Sequence, residues 1–245
     1  MREGSRTPNL SIMRYLLRLI VYLAIFCATC SLSLVVLLRF VPVTVTPLKA
    51  IRLFENFSRE GIAIRSKWVA FRNVNPAMPR AVVATEDNNF LSHRGFDWDA
   101  IAKARQENRQ GGRLRGGSTI SQQTAKNVFC TPARTWFRKG VETWFTFLIE
   151  TFWSKKRIME VYLNVIETGS NMYGVEAPAR DIYGKTAAEL NVYEASMIAT
   201  VLPNPIRMRI AHPSAYMVNR AARVRSLMNK LPPLDFDRPG REPEK

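Results

Sequence analysis

Three polar blocks between Glu86 and Glu142 have the residue types, and the order, of a group-transfer site. EDNNFLSHRG (Glu86 to Gly95) opens on adjacent carboxylates, and GGSTISQQTAKN (Gly116 to Asn127) carries hydroxyls, amides and a lysine. RTWFRKGVE (Arg134 to Glu142) sets Arg134, Arg138 and Lys139 ahead of a further carboxylate. A carboxylate that accepts a proton, followed by cations that meet a departing anion, suits glycosyl transfer from a sugar diphosphate. A phosphate-loop reading of the second block fails. Gly111, Gly116 and Ser118 match three positions of GxxxxGK[ST], but Gly117 stands where the lysine must be. His93 and His212, the two histidines, leave no HExxH motif or Cys/His cluster for a metal.

Helices must position these groups. Pro79 suits the first turn of a helix from Arg80 to Thr85 that delivers Glu86 at its end, and Gly95 closes the turn that follows. Successive residues on a helix point about 100° apart, so Glu86 and Asp87 cannot both aim at one atom. Asp97 to Gln106 reads as a helix with an acidic first turn, and Asn108 to Gly117 as a mobile glycine- and arginine-rich loop. Ser118 or Thr119 can cap the next helix, on which some of Gln122, Gln123, Lys126 and Asn127 share a face. Apolar residues recur at three and four from Thr135 to Trp153, and Arg138 and Glu142 stand one turn apart there. Ile158 to Val165, Ala187 to Thr200 and Ser214 to Lys230 read as further helices. The fold class is mainly α.

Leu19 to Leu38 contains no charged residue, and at about 1.5 Å per residue it spans a hydrocarbon core of about 30 Å. It reads as a transmembrane helix, with Arg2, Arg6, Arg14 and Arg18 placing the N-terminus in the cytoplasm. A cleaved signal peptide would have a shorter apolar region and an A-x-A site, which does not follow. Thirty-six basic against twenty acidic residues, a formal charge of +16, call for an anionic partner, and the membrane segment selects lipid or a lipid-linked phosphate over nucleic acid. Cys27 and Cys30 lie inside the apolar span and read as small packing residues, which leaves Cys130 without an intramolecular disulfide partner. The expected organisation is a cytoplasmic tail (1–18), the transmembrane helix (19–38), a membrane-proximal connector and lobe (39–75) with VPVTVTP as an extended exit, a catalytic domain (76–231), and a disordered proline-rich tail (232–245).

The three blocks, together with RIMEVYLN (Arg157 to Asn164), YGVEAPARDIYGK (Tyr173 to Lys185) and EASMIATVLPNP (Glu194 to Pro205), resemble the peptidoglycan glycosyltransferases, which polymerise lipid II into glycan strands. The resemblance runs from about Arg80 to about Pro205, with MRIAHPS (Met208 to Ser214) only a loose match, and the chain is similar to the monofunctional biosynthetic members. It implies a lysozyme-like domain with a smaller membrane-associated lobe. It implies Glu86 as the base that takes a proton from an acceptor 4-hydroxyl, and Glu142 as a second acidic residue that orients the basic cluster or contacts substrate. Thr119, Gln122, Gln123, Lys126 and Asn127 are implied to bind substrate, with Asp87 supporting the local geometry. Arg134, Arg138 and Lys139 would gather around the leaving undecaprenyl diphosphate. Phe90 and His93 read as locking the loop after Glu86, and Asn164, Glu167 and Glu176 as structural.

The partners implied are lipid II, the growing glycan chain, membrane lipids and other cell-wall synthesis proteins. The sequence shows no dedicated cofactor site, although a divalent cation, Mg or Mn, could assist diphosphate departure. The implied location is the inner membrane, with the catalytic domain in the periplasm. A lysozyme-like hydrolase or lytic transglycosylase would have no need of the basic cluster, and a basic membrane-tethered scaffold would have no need of Glu86.

Overall fold

The computed structural model describes residues 10–57, 63–109, 117–133 and 135–237. Ten α-helices are found among them: α1 (Leu10–Leu38), α2 (Pro47–Phe57), α3 (Ala77–Glu86), α4 (Trp98–Arg109), α5 (Ile120–Phe129), α6 (Trp136–Phe152), α7 (Lys155–Val165), α8 (Glu176–Tyr183), α9 (Val192–Val201) and α10 (Ala215–Lys230). Polar caps start several of them. Thr119 and Asn191 form full capping boxes with Gln122 and Glu194, while Thr135, Ser154 and Ser214 accept the third backbone N–H of α6, α7 and α10. The Asn191 box explains why α9 begins at Val192 and not at Ala187.

One core unites these helices. α5 packs on α6 and α7, and α9 packs on α3 and α10. Tyr162, Tyr173, Phe90, Met78, Ile149 and Ile158 are wholly enclosed. A small sheet of β1 (Arg65–Ser66), β2 (Glu167–Gly169) and β3 (Met172–Tyr173) runs in the order β1-β3-β2, with β1 parallel and β2 antiparallel to β3. Neither α2, α8 nor this sheet has a strong periodic signal in the sequence. Asn164 ties the sheet side to the segment before α3, because its side chain accepts from Val69 N (2.7 Å) and donates to Val69 O (2.8 Å).

Two boundaries differ from the sequence reading. α1 starts at Leu10, so residues 10–18 are helical rather than a tail, as the apolar run LSIMRYLL extends the helix past the uncharged span. The tail expected to be disordered from 232 onward is ordered as far as Asp237. Phe236 is buried against Phe71 with ring centroids 5.1 Å apart, Lys156 pairs with Asp237 at 2.8 Å, and Arg80 donates to the carbonyls of Met228, Leu231 and Pro232. Apolar burial and a guanidinium on the free carbonyls at the end of α10 outweigh the proline content. Residues 238–245, Gly116, Arg134 and most of the expected mobile loop lie outside the described residues, and Asn108 and Arg109 close α4.

Lys49, on α2, was not singled out by any motif. Among the described residues no carboxylate pairs with its buried ammonium, which donates to Ser66 Oγ (2.8 Å), Thr44 O (3.3 Å) and Asn164 O (3.5 Å) above the Tyr173 ring. Burial lowers its pKa to about 8. The charged form is therefore disfavoured in the folded state, and the unfolded chain binds more protons between pH 8 and its ordinary value of about 10.4. Stability should rise with pH across that window by up to roughly 3 kcal/mol from this group. The measurement is thermal unfolding in detergent, where Lys49→Met should lack this pH dependence; parallel curves for the two proteins would refute it.

Candidate active site

α3 ends at Glu86, and the chain leaves the helix at Asp87 with an extended backbone (φ −164°). That break turns the two carboxylates apart. Asp87 is buried and accepts from His93 Nε2 at 2.8 Å and from the backbone N–H of Ile120 at 3.0 Å. His93 Nδ1 accepts from Gly95 N (3.1 Å), so the ring proton sits on Nε2 and points at Asp87. Gly95 O in turn accepts from Thr119 Oγ1 (2.7 Å). The first block thus folds back to cap the helix that carries the second.

Gly95 holds this return together in the left-handed region, at φ +87°. A Cβ there would stand 3.0 Å from both Thr146 Cγ2 and Glu150 Cγ. Gly95→Ala is expected to cost about 2 kcal/mol or more, since strain and crowding add. A Tm in detergent unchanged from wild type would show that the loop has another way to close.

Glu86 faces the other way, toward α5. Gln123 Nε2 donates to its Oε2 at 2.9 Å, and Tyr162 OH donates to Gln123 Oε1 at 3.2 Å, so the amide is held from behind by an enclosed phenol. Burial raises the Glu86 pKa above the ordinary carboxylate range, against the Gln123 hydrogen bond and the charges of Arg220 and Lys126; Asp87 adds to the rise. A carboxylate held this way accepts a proton more readily than an exposed one.

Lys126 lies one turn beyond Gln122 and Gln123 on α5 and reaches solvent. Desolvation lowers its pKa first; Glu142 and Glu86 oppose this, while Arg138 and Lys139 add to it. Those four groups share its electrostatic neighbourhood. On α6, Glu142 is 3% exposed and lies between Arg138 Nη1 (2.6 Å) and Lys139 Nζ (2.5 Å). Its carboxylate holds both cations at the surface of the helix, where Lys126 joins them. Burial raises the Cys130 thiol beside this cluster, so it is poorly suited to act as a thiolate.

The sequence-derived set therefore divides in two. Glu86, Gln123, Lys126, Arg138, Lys139 and Glu142 come together around one wall, whereas the polar atoms of Asp87, Thr119 and Gln122 are engaged in capping α5. Asn127 has its Nδ2 enclosed and, among the described residues, without a hydrogen-bond partner. Sequence reasoning missed Arg220, Tyr162 and Lys155. Lys155 is buried on Glu150 (2.8 Å), which also accepts from Ser121 Oγ, and lies 4.6 Å from the Phe90 ring centroid. Ser154 followed by a basic turn is a helix-start signal that could have drawn attention to Lys155; nothing local marks Arg220.

A divalent cation does not fit these donors. Both Glu142 oxygens are occupied by cations, and Lys126, Arg138 and Lys139 make the surroundings positive. Among the described residues no group of three or more His, Cys, Asp or Glu is arranged to hold a metal.

Comparison with known proteins places the chain in a family. The transglycosylase family model matches residues 54–229, which take in Glu86, Gln123, Lys126, Arg138, Lys139 and Glu142. A biosynthetic peptidoglycan transglycosylase of Bacteroides thetaiotaomicron is 48% identical over 232 residues, covering 93% of this chain and 92% of that protein. Those of Bdellovibrio bacteriovorus and Caulobacter vibrioides are 50% and 48% identical over 204 and 190 residues, covering 83% and 78% of this chain and 80% and 81% of theirs. With a desolvated carboxylate and a paired basic cluster both inside the matched region, the chain belongs to the transglycosylase family and is an enzyme of glycosyl transfer.

Proposed function

We propose that this enzyme polymerises lipid II into linear glycan strands by inverting transfer of the growing lipid-linked glycan. Glu86 removes the proton from the acceptor 4-hydroxyl as that oxygen attacks C1 of the donor. The bond from C1 to the diphosphate breaks, an α-diphosphate becomes a β-1,4 linkage, and the electron pair leaves on undecaprenyl diphosphate. Lys126, Arg138 and Lys139 offset the charge that develops there, and the family resemblance adds Arg134, which lies outside the described residues. Gln123 aims Glu86, and Glu142 aims the two cations on α6. The observation that carries the reading is the pairing of a desolvated carboxylate on α3 with a basic cluster on α5 and α6.

α1 is long and apolar enough to cross a membrane and fits a single-pass anchor. In this reading its N-terminus is cytoplasmic and the catalytic domain lies in the periplasm at the inner membrane. α2, with Leu53 and Phe54 exposed, and the start of α6, with Trp136 and Phe137 exposed, form a lobe that rests on lipid. Residues 39–75 form the membrane-proximal connector and contribute α2 to this lobe, and the catalytic domain extends over 76–231.

The test is incubation of the purified full-length protein with labelled lipid II in detergent, following polymer that lysozyme can digest. Polymer is expected. Cleavage of preformed glycan with no polymer would assign the site to a hydrolase instead.

A further inference from the structure

We propose that the flank of α10 facing α3, with Arg220 and Arg223, holds a carboxylate-bearing group of the acceptor while the acceptor's 4-hydroxyl lies at Glu86. This deepens the glycosyltransferase reading above and rests on it.

The first observation is the charge pattern. Between Glu194 and Asp235 the chain carries Arg207, Arg209, Arg220, Arg223, Arg225 and Lys230 and no acidic residue. An exposed helix commonly offsets its cations with carboxylates three or four residues away, and α10 has none. Among the described residues no carboxylate lies within ion-pair distance of Arg220 or Arg223. Arg220 is half-buried, and its Nε is enclosed without an acceptor among those residues. A guanidinium held there loses hydration that a bound anion would replace.

The second observation is where these arginines point. Met217, Ala221, Val224 and Met228 face the core. Arg225 turns to α9, where it donates to Ser196 Oγ at 3.1 Å and lies 5.1 Å from the Tyr193 ring centroid. Tyr216, Arg220, Arg223 and Leu227 recur at four, three and four, so they form one stripe on the opposite flank. α10 packs on α3 as well as on α9, which puts that stripe on the α3 side. The two helices run antiparallel. Arg80, early in α3, donates to the carbonyls of Met228, Leu231 and Pro232 at the end of α10, whereas Glu86, at the end of α3, lies in the field of Arg220. The stripe therefore passes beside the base, and Arg223 follows Arg220 one turn along, with about 5 to 6 Å between their Cβ atoms.

Lys126, Arg138 and Lys139 serve the leaving diphosphate from α5 and α6, so α10 brings further cations to the base from another helix. Of the anionic groups on an acceptor lipid II, the diphosphate stays with its lipid. The short peptide, carried on the sugar next to the attacking one, has free carboxylates, and a guanidinium fork matches a carboxylate bidentately.

The experiment is a competition. A labelled lipid-linked glycan, capped on its terminal 4-hydroxyl so that it can only donate, is given to the full-length protein in detergent with equal amounts of two acceptors. One is lipid II with its peptide carboxylates free, and the other is lipid II with them amidated. The mass of the first addition product reads the choice. Wild type should prefer the free carboxylates by about fivefold or more, as expected of charge-assisted contacts near a surface. Arg223→Gln, at an exposed position where substitution spares the core, should choose within about twofold. A variant that had only lost stability would make less product from both acceptors at the wild-type ratio, so the ratio separates binding from folding. Equal use of the two acceptors by wild type, or the wild-type ratio in Arg223→Gln, would overturn the proposal. No product from wild type with either acceptor would overturn the polymerase reading beneath it.

Discussion

Glu86→Gln is expected to lower lipid II polymerisation by about 10²- to 10⁴-fold, the range that a positioned general base supplies. The amide matches the carboxylate in shape and can keep a hydrogen bond to Gln123 after that side chain turns over, so the fold should hold and substrate should still bind. The loss should fall on kcat with KM little changed, because the proton is taken only as the glycosidic bond forms. Polymer made by Glu86→Gln at the wild-type rate would remove Glu86 from the base role.

The pH profile checks the same residue independently. The base must be ionised, and burial raises the Glu86 pKa, so kcat/KM should fall with acid at a pH above the ordinary carboxylate value of about 4.3. The Gln123 hydrogen bond and the charge of Arg220 both favour the ionised form. Gln123→Ala and Arg220→Gln should therefore each move the acid limb to higher pH, and a limb that stays in place or moves down would show that neither group faces the base.

The second large effect is expected at Glu142. Glu142→Gln leaves Arg138 and Lys139 without their shared carboxylate, next to Lys126, on a helix where that contact holds both side chains. Polymerisation should drop about 10²- to 10³-fold, as on loss of a preorganised electrostatic group. KM should rise as well as kcat fall, since cations that meet the diphosphate act in the ground state too. Stability should also fall, by about 1 to 3 kcal/mol, less than for a fully enclosed pair because Lys139 is partly exposed. Wild-type KM with reduced kcat would instead point to Glu142 touching the reacting atoms directly.

Local pattern carried much of the architecture. The helices that bear the site lie close to where the sequence places them, α5, α6 and α7 starting at side-chain caps and α3 following its apolar run, because capping and helical periodicity act over one or two turns. The short strands and α8 were not legible. Two- and three-residue strands are held by partners distant in the chain, such as Ser66 with Tyr173, and leave no periodic signal. The ordered stretch before Asp237 was hidden for the same reason: its proline and charge content spoke for solvent, while Phe71 and Arg80, more than 150 residues away, drew it onto the core.

By itself the sequence determined the chemistry on offer: a carboxylate, an amide helix and a basic helix in one order, an apolar span before them, and a family resemblance that the comparisons uphold. Only the tertiary structure decided which of those groups share a wall and which hold the fold. Asp87, Thr119 and Gln122 stand in the motifs beside Glu86 and Gln123, yet they cap α5, while Glu86 turns to an amide secured by Tyr162. Arg220 reaches the field of Glu86 from α10, and Trp144, Trp153 and Arg157 tie the domain to α1. Spacing along a helix specifies which residues share a face, but what meets that face, and so which carboxylate is desolvated, depends on packing between segments far apart in the chain.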